Sequence, residues 1–108
     1  MKLRERLRES EFKKVFDKSN KYYGTLVVVF VSDLVSNKVG FVASKKVGGS
    51  VQRNRARRLM REAFLRMQPV LPKERSYILV ARASINNKKM DEVLRDIKFI
   101  LRKEVIEK

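Results

Sequence analysis

The sequence predicts an α+β fold, in which a small and mostly antiparallel sheet packs with helices in a two-layer sandwich. Three segments rich in β-branched and aromatic residues have the length of strands. Three further segments place apolar residues at helical spacing. These elements follow one another in the order α-β-β-α-β-α. A length of 108 residues fits one domain, so we expect residues 1–108 to form a single domain.

A basic segment and a short helix open the chain. Residues 1–8 carry four positive side chains and one negative side chain, and they predict a flexible basic arm. Ser10 can cap a helix over about 11–18 because its hydroxyl can accept a hydrogen bond from the first turn. Phe12 and Phe16 would lie on one side of that helix, together with Val15.

Two strands come next. Residues 22–32, which read YYGTLVVVFVS, predict the first strand, and an extra short strand can form around 22–25. Residues 33–38 predict a turn. Residues 39–44 predict a second strand, which we expect to pair with the first strand as a hairpin. The Lys-Lys-Val-Gly-Gly segment at 45–49 predicts a flexible connection.

The strongest helical pattern covers about residues 51–67, and Pro69 and Pro72 end it. A third strand is predicted over 77–83 and a last helix over 90–106. The helix at 51–67 carries one apolar stripe, formed by Ala56, Leu59, Met60, Ala63, Phe64 and Met67.

The composition indicates a polyanionic partner. The chain has 27 Lys and Arg against 12 Asp and Glu, a formal net charge of +15. Such an excess repels itself in the folded state and favours binding to nucleic acid phosphates. The sequence has no Cys and no His, which excludes disulfides, Cys or His nucleophiles and the usual zinc ligands. The missing cysteines fit a cytoplasmic location, and no apolar run approaches the roughly 20 residues of a membrane span.

Nearly half of the charge excess lies in residues 45–66, where eight basic side chains meet only Glu62. Arg53 and Arg55 lie near the helix start, where the helix dipole disfavours cations. A helix surface selected for stability would mix charge signs, so the pattern favours a binding surface over a solvated face. At 100° per residue, four side chains fall opposite the apolar stripe: Asn54, Arg57, Arg58 and Arg61.

The three phenylalanines Phe12, Phe16 and Phe30 allow two interpretations. Both faces of the first strand are apolar, so one face packs on the long helices and the other is covered by the first helix or left open. In an open groove, the rings would stack on bases of single-stranded RNA. In a closed core, they would hold the first helix against the sheet.

Residues 40–64, GFVASKKVGGSVQRNRARRLMREAF, resemble the signature region of the bacterial ribonuclease P protein family. The similarity is carried by Arg53-Asn54-Arg55, the basic pair Arg57 and Arg58, and Arg61. The Ser-Lys-Lys sequence at 44–46 and Gly48 stand at the family's spacing, and Phe12, Phe16 and Phe30 also fit. Several family members have a tyrosine where this chain has Phe30.

The resemblance implies a left-handed β-α-β crossover through the basic helix and a role in removing 5′ leaders from precursor tRNA. A partner RNA would catalyse the cleavage with Mg²⁺ that the RNA mainly holds, and the protein would contribute neither catalytic nor metal-binding side chains. It also implies a monomer in a 1:1 complex with ribonuclease P RNA. The catalytic RNA would contact Lys45, Lys46, Arg53, Asn54, Arg55, Arg57, Arg58 and Arg61. The precursor leader would contact Phe12, Phe16, Phe30 and Ser44.

Three alternatives remain at the level of the sequence. A structural or ribosomal RNA-binding protein shares the charge and size but needs no leader groove. A DNA-binding protein could place the basic helix in a major groove, although a strand and a glycine-containing connection precede that helix rather than a partner helix. A stand-alone nuclease has the least support because the acidic residues are scattered.

Overall fold

A computed structural model describes residues 2–105 of the chain. Its strands are β1 (Glu5–Arg6), β2 (Asn20–Tyr23), β3 (Val27–Ser32), β4 (Lys38–Val42) and β5 (Ser76–Ala81). Its α-helices are α1 (Glu9–Asp17), α2 (Ser50–Met67) and α3 (Met90–Ile100). Short 3₁₀ turns at Gln68–Val70 and Ala83–Ile85 follow α2 and β5. The α+β class and the main elements are as the sequence predicts.

The five strands form one sheet in the order β1-β4-β5-β3-β2. β5 pairs antiparallel with β3 and parallel with β4, and most paired positions in the sheet are antiparallel. The predicted hairpin between the first two strands is therefore wrong, because β5 lies between β3 and β4. Every β5 residue from Ser76 to Leu79 is buried, and a strand that is apolar on both faces buries most surface in the centre of a sheet.

A tight turn divides the predicted first strand, and the extra short strand forms as β2, two residues earlier than the predicted position around 22–25. The N–H of Gly24 donates to the carbonyl of Val27 at 2.9 Å. The carboxylate of Asp96 in α3 accepts hydrogen bonds from three consecutive backbone N–H groups of the turn, those of residues 25–27, at 2.9–3.1 Å. The side chain of Asp96 thus fixes the turn between β2 and β3 to helix α3.

The sheet has helices on both faces. Helices α2 and α3 pack on the face that carries Val27, Val29 and Leu79, where the main core lies. Helix α1 covers part of the opposite face, where Val15 and Ile78 belong to a smaller buried cluster. This partial third layer adds to the predicted two-layer sandwich and leaves part of the second face exposed. The β4–α2–β5 unit joins parallel neighbours, and its left-handed sense stays a prediction from the resemblance.

The N-terminal segment differs from the flexible arm that the sequence predicts; Met1 lies outside the described residues. Glu5 and Arg6 pair with β4, and Leu7 is buried. The guanidinium of Arg4 donates to the carbonyls of Leu71 and Arg75, each at 3.0 Å, and its burial lowers its pKa. Backbone acceptors and aromatic rings around this side chain replace its water shell, which explains why a basic residue lies inside the fold.

The helix ends also differ in detail from the prediction. Ser10 is inside α1, and Arg8 takes the N-cap position while its N–H donates to Glu11 at 2.8 Å. That hydrogen bond, and a 2.9 Å ion pair with Lys38 of β4, lower the pKa of Glu11. α3 ends at Ile100 with turns beyond it, and residue 106 of the predicted last helix lies outside the described residues. Within residues 2–105, no helix is both long and apolar enough to cross a membrane.

Candidate nucleic-acid interface

Helix α2 buries its apolar stripe and presents the opposite face to solvent. Asn54 and Arg58 are exposed, whereas Arg57 and Arg61 are half-buried. Arg57 donates a hydrogen bond to the side-chain oxygen of Asn54. In the part of the chain that the structure describes, no α2 arginine forms an ion pair with a carboxylate. Their charge is therefore not neutralised within the fold, and it remains available to phosphates.

A cleft of roughly 450 Å³ lies between α2 and the β1–β4 edge of the sheet, and we call it the basic cleft. Arg57 and Arg61 line it from the helix, and Arg6 lines it from β1. The ring of Phe12 reaches it from α1. The basic cleft thus joins three guanidinium groups and the aromatic residues Phe12 and Phe41, a combination that suits a nucleic acid strand. Its full lining is Arg6, Leu7, Phe12, Val39, Gly40, Phe41, Asn54, Arg57 and Arg61.

Phe12, Phe16 and Phe30 form a continuous aromatic row from the basic cleft to β3. The ring centroids of Phe12 and Phe16 are 6.2 Å apart. Those of Phe16 and Phe30 are 4.7 Å apart, with the rings nearly perpendicular at 86°. All three are half-buried and pack against the cluster of Leu7, Val15 and Ile78. Each ring therefore contacts the core and keeps a solvent-exposed portion, so the structure leaves the groove and core interpretations both open.

Three predicted site residues lie apart from the basic cleft. Ser44, Lys45 and Lys46 are exposed on the turn that follows β4. The N–H groups of Val47 and Gly48 donate to the carbonyls of Ser44 and Lys45, at 3.0 and 3.1 Å. This turn leads into the start of α2, so the two lysines extend the positive surface around the helix N-terminus.

The two remaining arginines are partly engaged within the protein. The guanidinium of Arg55 donates to the backbone carbonyl of Lys88, which directs the side chain toward the start of α3. The guanidinium nitrogen Nη2 of Arg53 lies 3.5 Å from the hydroxyl oxygen of Ser50, which stands three residues earlier in α2. Both side chains are half-buried. They lie on the flanks of the helix rather than with Asn54, Arg57 and Arg61 at the basic cleft.

Arg6 was not among the predicted site residues, because the charges of the N-terminal segment predicted a flexible arm. The available signal was local, because the apolar residues Leu3 and Leu7 stand among the basic side chains. Leu3 packs against the main core, and Leu7 is buried in the smaller cluster beneath α1. Fixed by pairing with β4, this segment brings Arg6 opposite the helix arginines.

The acidic residues that the structure describes form no comparable site. Within residues 2–105, no group of three or more Asp or Glu side chains is placed to hold a metal ion. One titratable group is strongly perturbed in the core: burial raises the pKa of Tyr77 to about 12. This residue packs beneath α2 against the ring of Phe64, and it is not among the residues that line the basic cleft.

Known proteins resemble this chain in sequence and in fold. It is 33% identical to the ribonuclease P protein component of Bacillus pumilus, over 98% of this chain and 92% of that protein. It is 38% identical to the ribonuclease P protein component of Dehalococcoides mccartyi, over 89% of this chain and 80% of that protein. The ribonuclease P protein of Thermotoga maritima superposes with a TM-score of 0.79 at 25% identity, covering 97% of this chain and all of that one. The ribonuclease P protein of Staphylococcus aureus superposes with a TM-score of 0.80 at 20% identity, covering 98% of this chain and all of that one.

The basic helix, the adjoining cleft and the aromatic row thus occur in a chain whose sequence and fold both agree with these relatives. The family model described as Ribonuclease P matches residues 1–105. This chain therefore belongs to the ribonuclease P protein family.

Proposed function

We propose that this protein is the RNA-binding subunit of a ribonuclease P holoenzyme, in which it assists removal of the 5′ leader from precursor tRNA. It binds the catalytic RNA with the outer face of α2 and binds the leader with the aromatic row on the sheet. The observation that carries this proposal is the basic cleft, where Arg6, Arg57 and Arg61 meet Phe12 without a carboxylate among the lining residues.

The α2 face supports the first contact. The helix that carries Asn54, Arg57, Arg58 and Arg61 is anchored in the core by its other side, so its backbone needs no ordering when these side chains meet phosphates. Guanidinium groups can bond two phosphate oxygens at once and stack on bases. Lys45, Lys46, Arg53 and Arg55 widen this surface around the start of the helix.

The half-exposed rings of Phe12, Phe16 and Phe30 support the second contact. Single-stranded RNA binds to sheets that present aromatic rings beside positive charge, because bases stack on the rings while the backbone follows the charge. Ser44 is exposed on the turn that follows β4, where its hydroxyl can contribute a hydrogen bond to the RNA leader. The protein thereby distinguishes precursor tRNA, which has a leader, from mature tRNA, which has none.

Catalysis of phosphodiester hydrolysis is assigned to the partner RNA. The described side chains offer no cluster of carboxylates for a metal ion, so we assign the Mg²⁺ mainly to the RNA. The protein neutralises crowded phosphates and holds the leader. It should therefore lower the magnesium concentration that cleavage requires. The proposed location is the cytoplasm, and the proposed assembly is one protein monomer bound to one RNA.

The test is cleavage of a precursor tRNA by a bacterial ribonuclease P RNA at low magnesium, with and without this protein. We expect strong stimulation by the wild-type protein and loss of most of it in the Arg57→Ala, Arg61→Ala double variant. Arg66→Ala, an exposed arginine on the same helix outside the basic cleft, is the matched control and should stimulate nearly as well as wild type. An absence of stimulation at every magnesium concentration, with RNA binding intact, would instead identify a structural RNA-binding protein.

A further inference from the structure

An exposed tyrosine, Tyr23, lies on strand β2 beside the aromatic row. In the antiparallel pairing of β2 and β3, Tyr23 stands opposite Val28, and Lys21 stands opposite Phe30. Directly paired residues share one face of a sheet, so Tyr23 lies on the same face as Phe30, on the next strand. Diagonal neighbours of this kind have side chains about 7–8 Å apart, within reach of aromatic rings.

The ring of Phe30 already has neighbours within the protein. The ring of Phe16 contacts it at a centroid distance of 4.7 Å, and the ammonium of Lys21 lies 5.3 Å from its centroid. Tyr23, by contrast, is 68% exposed, and within residues 2–105 no aromatic ring or cation packs against its ring. Of these two rings, Tyr23 therefore offers the more accessible face to a ligand.

The backbone that carries Tyr23 is fixed from two sides. The carbonyl of the next residue, Gly24, accepts a hydrogen bond from the guanidinium of Arg82 at 3.0 Å. The carbonyl of Thr25 accepts one from the hydroxyl of Ser84 at 2.6 Å. The same turn donates three backbone hydrogen bonds to the carboxylate of Asp96. A ring mounted on such a backbone loses little freedom when it stacks on a planar ligand.

We propose that Tyr23 is a base-stacking platform that extends the leader site from Phe30 to the β2 edge of the sheet. The ligand is a nucleobase of single-stranded RNA, and Lys21 supplies positive charge beside it. RNA-recognition sheets bind two or three successive bases in this way, with aromatic rings on neighbouring strands. This inference rests on the proposed function, because the base belongs to the precursor leader.

The test measures the affinity of the holoenzyme, reconstituted with a bacterial ribonuclease P RNA, for precursor tRNAs whose leaders lengthen by one nucleotide at a time. We expect Tyr23→Ala to weaken binding of long-leader precursors by about fivefold or more, the fold-change that corresponds to losing one base stack. Tyr23→Phe keeps the ring and should bind like wild type. Precursors with a one-nucleotide leader should bind equally to all three proteins.

A second measurement identifies the base. One abasic nucleotide is placed at each leader position in turn, and we expect one position to weaken binding to wild type but not to Tyr23→Ala. The control for exposed rings is Phe99→Ala, because Phe99 is 62% exposed on α3, which packs on the opposite face of the sheet. This variant should leave the leader affinity unchanged.

The outcomes separate the two proposals. If wild type binds long leaders more tightly and Tyr23→Ala retains the whole gain, Tyr23 is no platform, and the proposed function stands. If Phe99→Ala weakens binding as much as Tyr23→Ala, the effect does not belong to this face, and the inference is overturned. If wild type gains nothing from a longer leader, the leader site of the proposed function fails, and this extension fails with it.

Discussion

The ring of Phe12 lies directly against the backbone of Gly40, in the wall of the basic cleft. A Cβ atom built on Gly40 would stand 2.3 Å from Phe12 Cζ and 2.5 Å from its Cε1. Real side chains do not approach so closely, so the position of the ring depends on the absence of a side chain at residue 40. This contact couples helix α1 to strand β4 and sets the shape of the cleft.

Gly40→Ala should therefore destabilise the protein by about 1–3 kcal/mol, the usual cost of overpacking, because Phe12 must leave its place. Urea denaturation measures the loss. The matched control is Phe12→Leu, alone and combined with Gly40→Ala, since the smaller side chain makes room for the new methyl group. We expect the double variant to be more stable than the sum of the two losses predicts. Simple additivity would contradict the contact.

Arg57→Ala and Arg61→Ala should each weaken binding to ribonuclease P RNA and reduce the salt dependence of that binding by about one counterion. The reason is that each guanidinium, free of carboxylates within the described chain, would neutralise a phosphate. The measurement is the binding constant as a function of KCl concentration. Arg66→Ala removes the same charge outside the basic cleft and should change the slope less. An equal change in all three variants would mean that only total charge matters.

Asp96→Ala should destabilise the protein by about 2–3 kcal/mol, because three backbone N–H groups of the β2–β3 turn lose a charged acceptor. Asp96→Asn retains one acceptor oxygen and should lose less. Asp91→Ala, an exposed carboxylate in the first turn of the same helix, is the control for charge and should cost at most about 1 kcal/mol. Equal losses in Asp91→Ala and Asp96→Ala, measured by urea denaturation, would argue against the turn contact.

Tyr77→Phe should be near neutral or slightly stabilising at pH 7, because the buried hydroxyl has no hydrogen-bond partner among the described residues. Above pH 10 the free energies of unfolding of the wild type and Tyr77→Phe should diverge. Burial raises the pKa of Tyr77 from 10.0 to about 12, so the unfolded chain loses its proton first and the wild-type free energy of unfolding falls as the pH rises.

Titration of Tyr77 should lower the free energy of unfolding of the wild type at pH 11 by roughly 1.4 kcal/mol relative to pH 8, and this decrease should be absent from Tyr77→Phe. The measurement is denaturant unfolding of both proteins between pH 8 and pH 11. Tyr23→Phe removes an exposed hydroxyl and serves as the control, which should follow wild type across the range. Parallel curves for wild type and Tyr77→Phe would contradict the assigned burial.

The helices were predictable because their signals are local. The apolar stripe of α2 repeats every three to four residues, and the buried residues Ala56, Leu59, Met60, Ala63, Phe64 and Met67 are the ones that the pattern predicts. The same periodicity places Asn54, Arg57, Arg58 and Arg61 on the outer face. The basic surface could therefore be predicted from the sequence before any strand pairing was known.

Strand order could not be predicted in this way. The proximity of β3 and β4 in sequence suggested a hairpin, but pairing depends on the burial of β5, more than thirty residues later. The prediction of a flexible N-terminal arm was wrong for a related reason. Its charges indicated a solvated arm, whereas Arg4 finds carbonyl acceptors at residues 71 and 75, which only the folded chain brings near.

Whether the three phenylalanines line a groove or fill a core also could not be predicted from the local sequence pattern. Whether Phe16 and Phe30 are covered depends on how far α1 extends across the sheet, and that is fixed by contacts such as Phe12 with Gly40 and Glu11 with Lys38. Their partial exposure is a property of the assembled layers.

The central position of β5 has a consequence for how the chain folds as it is synthesised. The β2–β3 hairpin can form early, but β3 and β4 have no common partner until residue 81 has left the ribosome. Until then the apolar faces of both strands lack the strand that lies between them, and the first residues lack their anchors near residues 68–75. Closure of the sheet is therefore a late, non-local step, as expected for a fold rich in distant contacts. A nascent chain truncated before residue 76 would carry the complete basic helix without the sheet that orients it.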